Sequence, residues 1–187
     1  VALEVGEGVD AALVERSVGR LLRTAHGVWL ADTLCSVLGD PGAGEAPTSI
    51  SVAFVNEIQG TSGEDLAVFR PTTPQARRYE IFIRPPLETR NTDIVSFGES
   101  SANPDCSIVF LYRETESWMA EALFHELLHV WFVNAYAGHE RRFPTGHGRV
   151  DYCELEPEFS DLLDAFAREL AALEGVQPVR MLPFGSR

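Results

Sequence analysis

The chain has 187 residues, of which 45% are hydrophobic, 23% charged and 10% aromatic, and its 28 acidic against 15 basic side chains leave a net charge of −13. That length suits one domain that buries most of its apolar surface and is too short for two full ones, while the hydrophobic share excludes wholesale disorder. The acidity argues against a direct nucleic-acid binder, which needs a cationic footprint, and no apolar run approaches the roughly 18 residues of a membrane-spanning helix.

The opening Val1-Ala2-Leu3-Glu4 has no initiator Met, basic segment or apolar leader, so it reads as a processed or excised start with room for a neighbouring domain. Residues 9–38 then place Val9, Leu13, Val14, Val18, Leu21, Leu22, Val28, Trp29, Leu34 and Leu38 at helical spacing. The pattern predicts one long amphipathic helix, or a pair bent at Gly27. Gly39-Asp40-Pro41-Gly42-Ala43-Gly44 ends it. Short alternating stretches follow at Ser49–Phe54, Leu66–Phe69, Tyr79–Arg84, Asp93–Phe97 and Ser107–Tyr112, read as strands of a small, mostly antiparallel sheet. Thr115-Glu116-Ser117 offers a helix start, and from Trp118 to about Ala137 the chain is apolar on most sides, as in a helix buried mid-domain. A last helix is predicted over Pro157–Glu174, with Phe159, Leu162, Leu163, Phe166, Leu170 and Leu173 on its inner side. Helices, then strands, then helices make an α+β layout. With no repeat or linker in view, residues 1–187 read as a single domain.

The chemistry concentrates in Phe124-His125-Glu126-Leu127-Leu128-His129, a His-Glu-x-x-His run inside the buried helix. Residues four apart on a helix differ by only about 40° of rotation, so His125 and His129 project from one face and can share a metal. Glu126 lies about 100° round, badly placed as a ligand but able to reach a water beside the metal as general base. Neutral imidazoles select zinc over calcium or magnesium, which favour oxygen ligands. The bland alternative, two core histidines beside a buried carboxylate, leaves three polar groups needing compensation.

A catalytic zinc needs a third protein ligand, and the residues downstream leave its identity open. His147 sits in the flexible setting Gly146-His147-Gly148; Glu158, or Glu156, opens the last helix; His139 is nearer but lies among Gly138, Glu140, Arg141 and Arg142. Glu158 equally suits a dipole-stabilising acid in a first helical turn. Tyr152, with His139, Arg141 and Arg142 as rivals, is a candidate to stabilise an oxyanion; a phenol can donate without carrying charge.

The segment His125–His129 resembles the zincin metallopeptidases. Gly146-His147-Gly148 is similar to the His-Gly third-ligand loop of SprT-like proteases, and Phe159 to the early aromatic residue of the helix that follows in that family. Glu154-Leu155-Glu156-Pro157-Glu158 resembles instead the acidic helix opening of bacterial effector and toxin zincins. The likeness covers roughly residues 118–165, and His-Glu-x-x-His is its specific part. It implies a zincin-like fold and a zinc-dependent peptidase, more an endopeptidase than an exopeptidase. It also implies an edge strand that aligns a protein substrate; Tyr79–Arg84 or Ser107–Tyr112 is the candidate. Location is left between the cytoplasm and secretion as an effector. Two other readings stand beside it: a zincin-fold binding module without turnover, and a structural-zinc domain with four closed ligands, His147 and Glu158 among them.

Three details complete the sequence view. All 15 basic residues are Arg, which a GC-rich coding sequence explains; the sharper alternative is selection against ubiquitin acceptors in a toxin acting inside a eukaryotic host. Cys35, Cys106 and Cys153 are too few and too scattered for a disulfide framework, so reduced, buried thiols are expected. Asp151–Glu174 carries eight acids against Arg168 alone, a solvated face or a dock for a basic partner.

Overall fold

The computed structural model describes residues 1–39, 49–59, 67–73, 78–85, 108–109, 115–135, 157–175 and 179–180. Their order is β1 (Ala2–Val5), α1 (Ala11–Leu21), α2 (Ala25–Gly39), β2 (Ser49–Phe54), β3 (Ala67–Thr73), β4 (Arg78–Ile83), β5 (Ile108–Val109), α3 (Thr115–Ala135), α4 (Pro157–Glu174) and β6 (Val179–Arg180). The α+β layout is present, with the N-terminal helical region as a pair. The expected strand at Asp93–Phe97 lies outside the described residues.

The main sheet runs in the order β1-β2-β4-β3. It corrects the antiparallel expectation: β1 pairs parallel with β2, β2 parallel with β4, and β3 alone is antiparallel, against β4. The reason lies in the connections. The first strand, unread in the sequence, is joined to β2 through α1 and α2, the long crossover that parallel neighbours require. β3 then takes the outside position and β4 returns between it and β2. Pro71 in β3 fits that edge position, since proline cannot donate to a central ladder. A separate antiparallel pair joins β5 to β6.

One sheet face is apolar. Ile50, Val52 and Phe54 of β2 and Tyr79, Ile81 and Ile83 of β4 are all buried, alternating with half-buried positions along each strand. Helix α3 packs on β3 and β4 and is flanked by α1, α2 and α4. That central place explains its lack of a polar side: Trp118, Met119, Phe124, Leu128, Val130 and Phe132 are fully buried. Asn134, near its end, donates to the Tyr79 hydroxyl at 3.2 Å and so ties α3 to β4.

The helix pair does not bend at Gly27. It breaks at Leu22–Thr24, and Gly27 falls in the first turn of α2. Thr24 caps that turn: its Oγ1 accepts from Gly27 N at 2.9 Å and donates to Leu21 O at 2.7 Å. A Cβ on Gly27 would collide with the Leu21 carbonyl oxygen, so the α1–α2 corner needs glycine here. α4 runs from Pro157 to Glu174, in agreement with the sequence reading, and Gly175, at φ 68°, follows its last turn. Cys35 is free but exposed, contrary to the expectation of a buried thiol, because it sits on the outer face of α2. No helix among the described residues is long and apolar enough to cross a membrane.

Candidate metal centre

Helix α3 carries the His-Glu-x-x-His run in its middle, where packing on both sides fixes the backbone. His125 and His129 share one face, their ring centroids 5.1 Å apart. His129 is 2% exposed and His125 half-buried, so the pair spans the boundary between core and surface. Glu126 is 6% exposed, and burial pushes its carboxyl up to about 8. In this apolar setting the side chain is protonated at neutral pH unless a cation stands close to it.

An aromatic ring from α4 packs against the two imidazoles. Phe159, fully buried in the first turn of α4, lies 4.8 Å from the His129 ring and 5.6 Å from the His125 ring, and also 4.9 Å from Phe132. Seven residues on, Phe166 stacks on Phe124 at 4.0 Å with the planes 2° apart. These contacts hold α4 against the histidine-bearing side of α3.

The N-terminal half of α3 is fixed by charge. Arg16 of α1 donates to Glu116 at 2.7 Å, and Arg20 donates to Ser117 at 3.1 Å and reaches Glu174 of α4 at 3.5 Å. Partial burial works against the Glu116 charge. A hydrogen bond to its own backbone, the Arg16 contact and the Arg16 and Arg20 charges outweigh burial and hold its carboxyl below the ordinary value. Glu169 of α4 likewise accepts from the His26 ring at 2.7 Å and from the His26 backbone N–H at 3.1 Å, which braces the first turn of α2.

Of the expected site residues, the structure brings the rings of His125 and His129 together, and Glu126, next to His125 in the helix, is buried. Glu158 is exposed on the first turn of α4, and among the described residues no three His, Cys, Asp or Glu side chains form a group able to hold a metal. His147, Tyr152, His139, Arg141, Arg142, Glu154 and Glu156 lie outside the described residues. Two features escaped the sequence reading. Glu121, 4% exposed and one turn before His125, places a buried carboxylate on this face, and its four-residue spacing from His125 was the available signal. The contact of Phe159 with both imidazoles had no such signal, because it depends on how α4 docks.

The edge-strand expectation also changes. Tyr79–Arg84 is largely β4, which is paired on both sides, so its backbone is not open to an added strand. Within Ser107–Tyr112 the described pair Ile108–Val109 is bonded to β6 along one edge, and this two-stranded sheet is separate from the main one. Among the described residues β3 is an edge of the main sheet, and α3 packs on it.

Compared with models of known protein families, with characterised proteins and with solved structures, the chain has no match.

Proposed function

We propose that the protein is a zinc-dependent peptidase acting on protein or peptide substrates, with His125 and His129 as two of the zinc ligands. The observation that carries this reading is the pair of imidazoles 5.1 Å apart on one helix face, in a helix where Glu126, between them in sequence, is also buried. The donor set fits the ion: two neutral nitrogen donors at the edge of an apolar core suit zinc, and the remaining positions fall to a third side chain and to solvent. His147 and Glu158 remain the candidates for that third ligand. Bound zinc supplies a Lewis acid that acidifies water and polarises a carbonyl.

Glu126 does the proton work. An ionised carboxylate takes the proton of the attacking water and hands it to the departing amine. Its burial supports this role, since desolvation raises the basicity of a carboxylate that must take up a proton. Tyr152 is proposed as the neutral donor to the developing oxyanion. The substrate is proposed to add as a strand along the outer edge of β3, whose one strand partner among the described residues is β4 and on which α3 packs. A substrate held there in mid-chain favours endopeptidase action.

The test separates binding from turnover. Purified wild type should take up about one zinc per chain and cleave an unfolded protein substrate. Glu126→Gln should keep the metal and lose cleavage by a factor of at least ~10². Removing His129 should lose both. A wild type that stays metal-free in excess zinc overturns the reading. A Glu126→Gln variant with undiminished biological effect points to a binding module instead.

A further inference from the structure

Phe159 stands out because its fully buried ring touches three successive rungs of one stripe on α3: His125, His129 and Phe132. Docking of the two helices does not by itself explain this placement, since Phe166 stacked on Phe124 already joins them. Against His125 the ring stands edge-on, at 74°, and against His129 it is tilted by 43°. A rigid hydrocarbon ring in contact with two imidazoles restricts the side-chain torsions of both at once. Two ligands on one helix hold an ion only when both rings take the converging rotamers together, so a part that fixes both removes ordering cost from metal binding.

We propose that Phe159 is the positioning residue of the metal centre, a ring on α4 that holds the imidazoles of His125 and His129 in their ligating arrangement before the ion arrives. The assignment rests on the zinc reading above. It makes zinc affinity a property of the α3–α4 interface as well as of the ligands. Residues that orient metal ligands usually carry about 10–100-fold of the affinity, and Phe159 fills that role through shape where hydrogen bonds more often do.

Zinc affinity is measured by competition with a chromophoric chelator in wild type, Phe159→Leu and Phe166→Leu, with unfolding followed in parallel. Phe166→Leu is the control: it loosens the same helix pair but removes no ring from an imidazole. Phe159→Leu should weaken zinc binding about 10–100-fold. Phe166→Leu should change it by no more than about twofold, whatever its loss of stability. Equal affinity in wild type and Phe159→Leu, or equal weakening in both variants, overturns the positioning role and leaves the zinc site standing. A wild type that binds no zinc overturns both. If Phe159→Leu does not fold, proton NMR of the wild type decides. Cross-peaks from the Phe159 ring to both imidazoles in the metal-free protein, unchanged on adding zinc, support the assignment. Their absence, or their rearrangement on loading, overturns it.

Discussion

A carboxylate enclosed by apolar side chains behaves unlike one in water, and Glu126 turns that difference into a measurable dependence on pH. Its folded value of about 8 lies above the ordinary 4.5, so between those limits the folded protein binds more protons than the unfolded chain. The stabilising effect is complete below about pH 4.5 and is lost as the pH rises through 8. Metal-free protein should therefore lose stability across that window, at a slope of up to about 1.4 kcal/mol per pH unit. Urea unfolding in the presence of a chelator checks this, with Glu126→Gln alongside. The variant should be flatter with pH and, near pH 8, more stable than wild type. Zinc should reverse part of the effect, because a nearby cation favours the ionised carboxylate. Equal slopes in the two proteins would remove Glu126 as the source. What was legible in the sequence is the shared face of His125 and His129, because a helix converts four-residue spacing into a common side. The burial of Glu126 follows from how the helix packs, which spacing alone does not dictate.

Among elements, the α1–α2 corner shows how one residue type acts with opposite sign at two positions. Gly27 lies against the end of α1, and a methyl there must displace the Leu21 carbonyl oxygen and the Thr24 hydroxyl. Gly19, inside α1, has nothing within 4 Å of where its Cβ would be. Gly27→Ala should cost about 1–3 kcal/mol through overpacking. Gly19→Ala should add about 0.5–1 kcal/mol through helix propensity. Thr24→Val, which keeps the shape but removes the cap, should cost about 1 kcal/mol. Chemical unfolding of the three variants provides the check, and a destabilising Gly19→Ala would contradict the open space seen there. The sequence placed a glycine at this corner but took it for the bend, because periodicity registers where an apolar stripe shifts and not which residue is crossed closely. It set the ends of α4 correctly, since Pro157 acts locally at the first turn and the apolar stripe runs on to Leu173. It missed β1, because Ala2–Val5 is a four-residue run with just Leu3 and Val5 in alternation, too short to stand out as a strand. With β1 missing, the helix pair lost its role as a crossover, and the sheet's direction went wrong with it.

Across the described part of the molecule, the core is built of apolar side chains. The apolar sheet face, α3 and the inner side of α4 bury Phe54, Ile81, Ile83, Trp118, Phe124, Phe159 and Phe166 completely. The proposed metal lies at the margin of that core, so it should stabilise the fold without being required for it. Zinc free at 100 times its dissociation constant should add about 2.7 kcal/mol, raising the melting temperature by about 5–10 °C in a chain of this size. Excess chelator should return the melting temperature to its starting point and leave the far-ultraviolet circular dichroism at 25 °C unchanged. His129→Ala should melt at the same temperature with and without zinc. A structural site with four closed ligands predicts the opposite for the chelated protein, which would lose its secondary structure at 25 °C. The two outcomes distinguish an ion placed for chemistry from one that holds the chain together, because only the second makes folding depend on the metal.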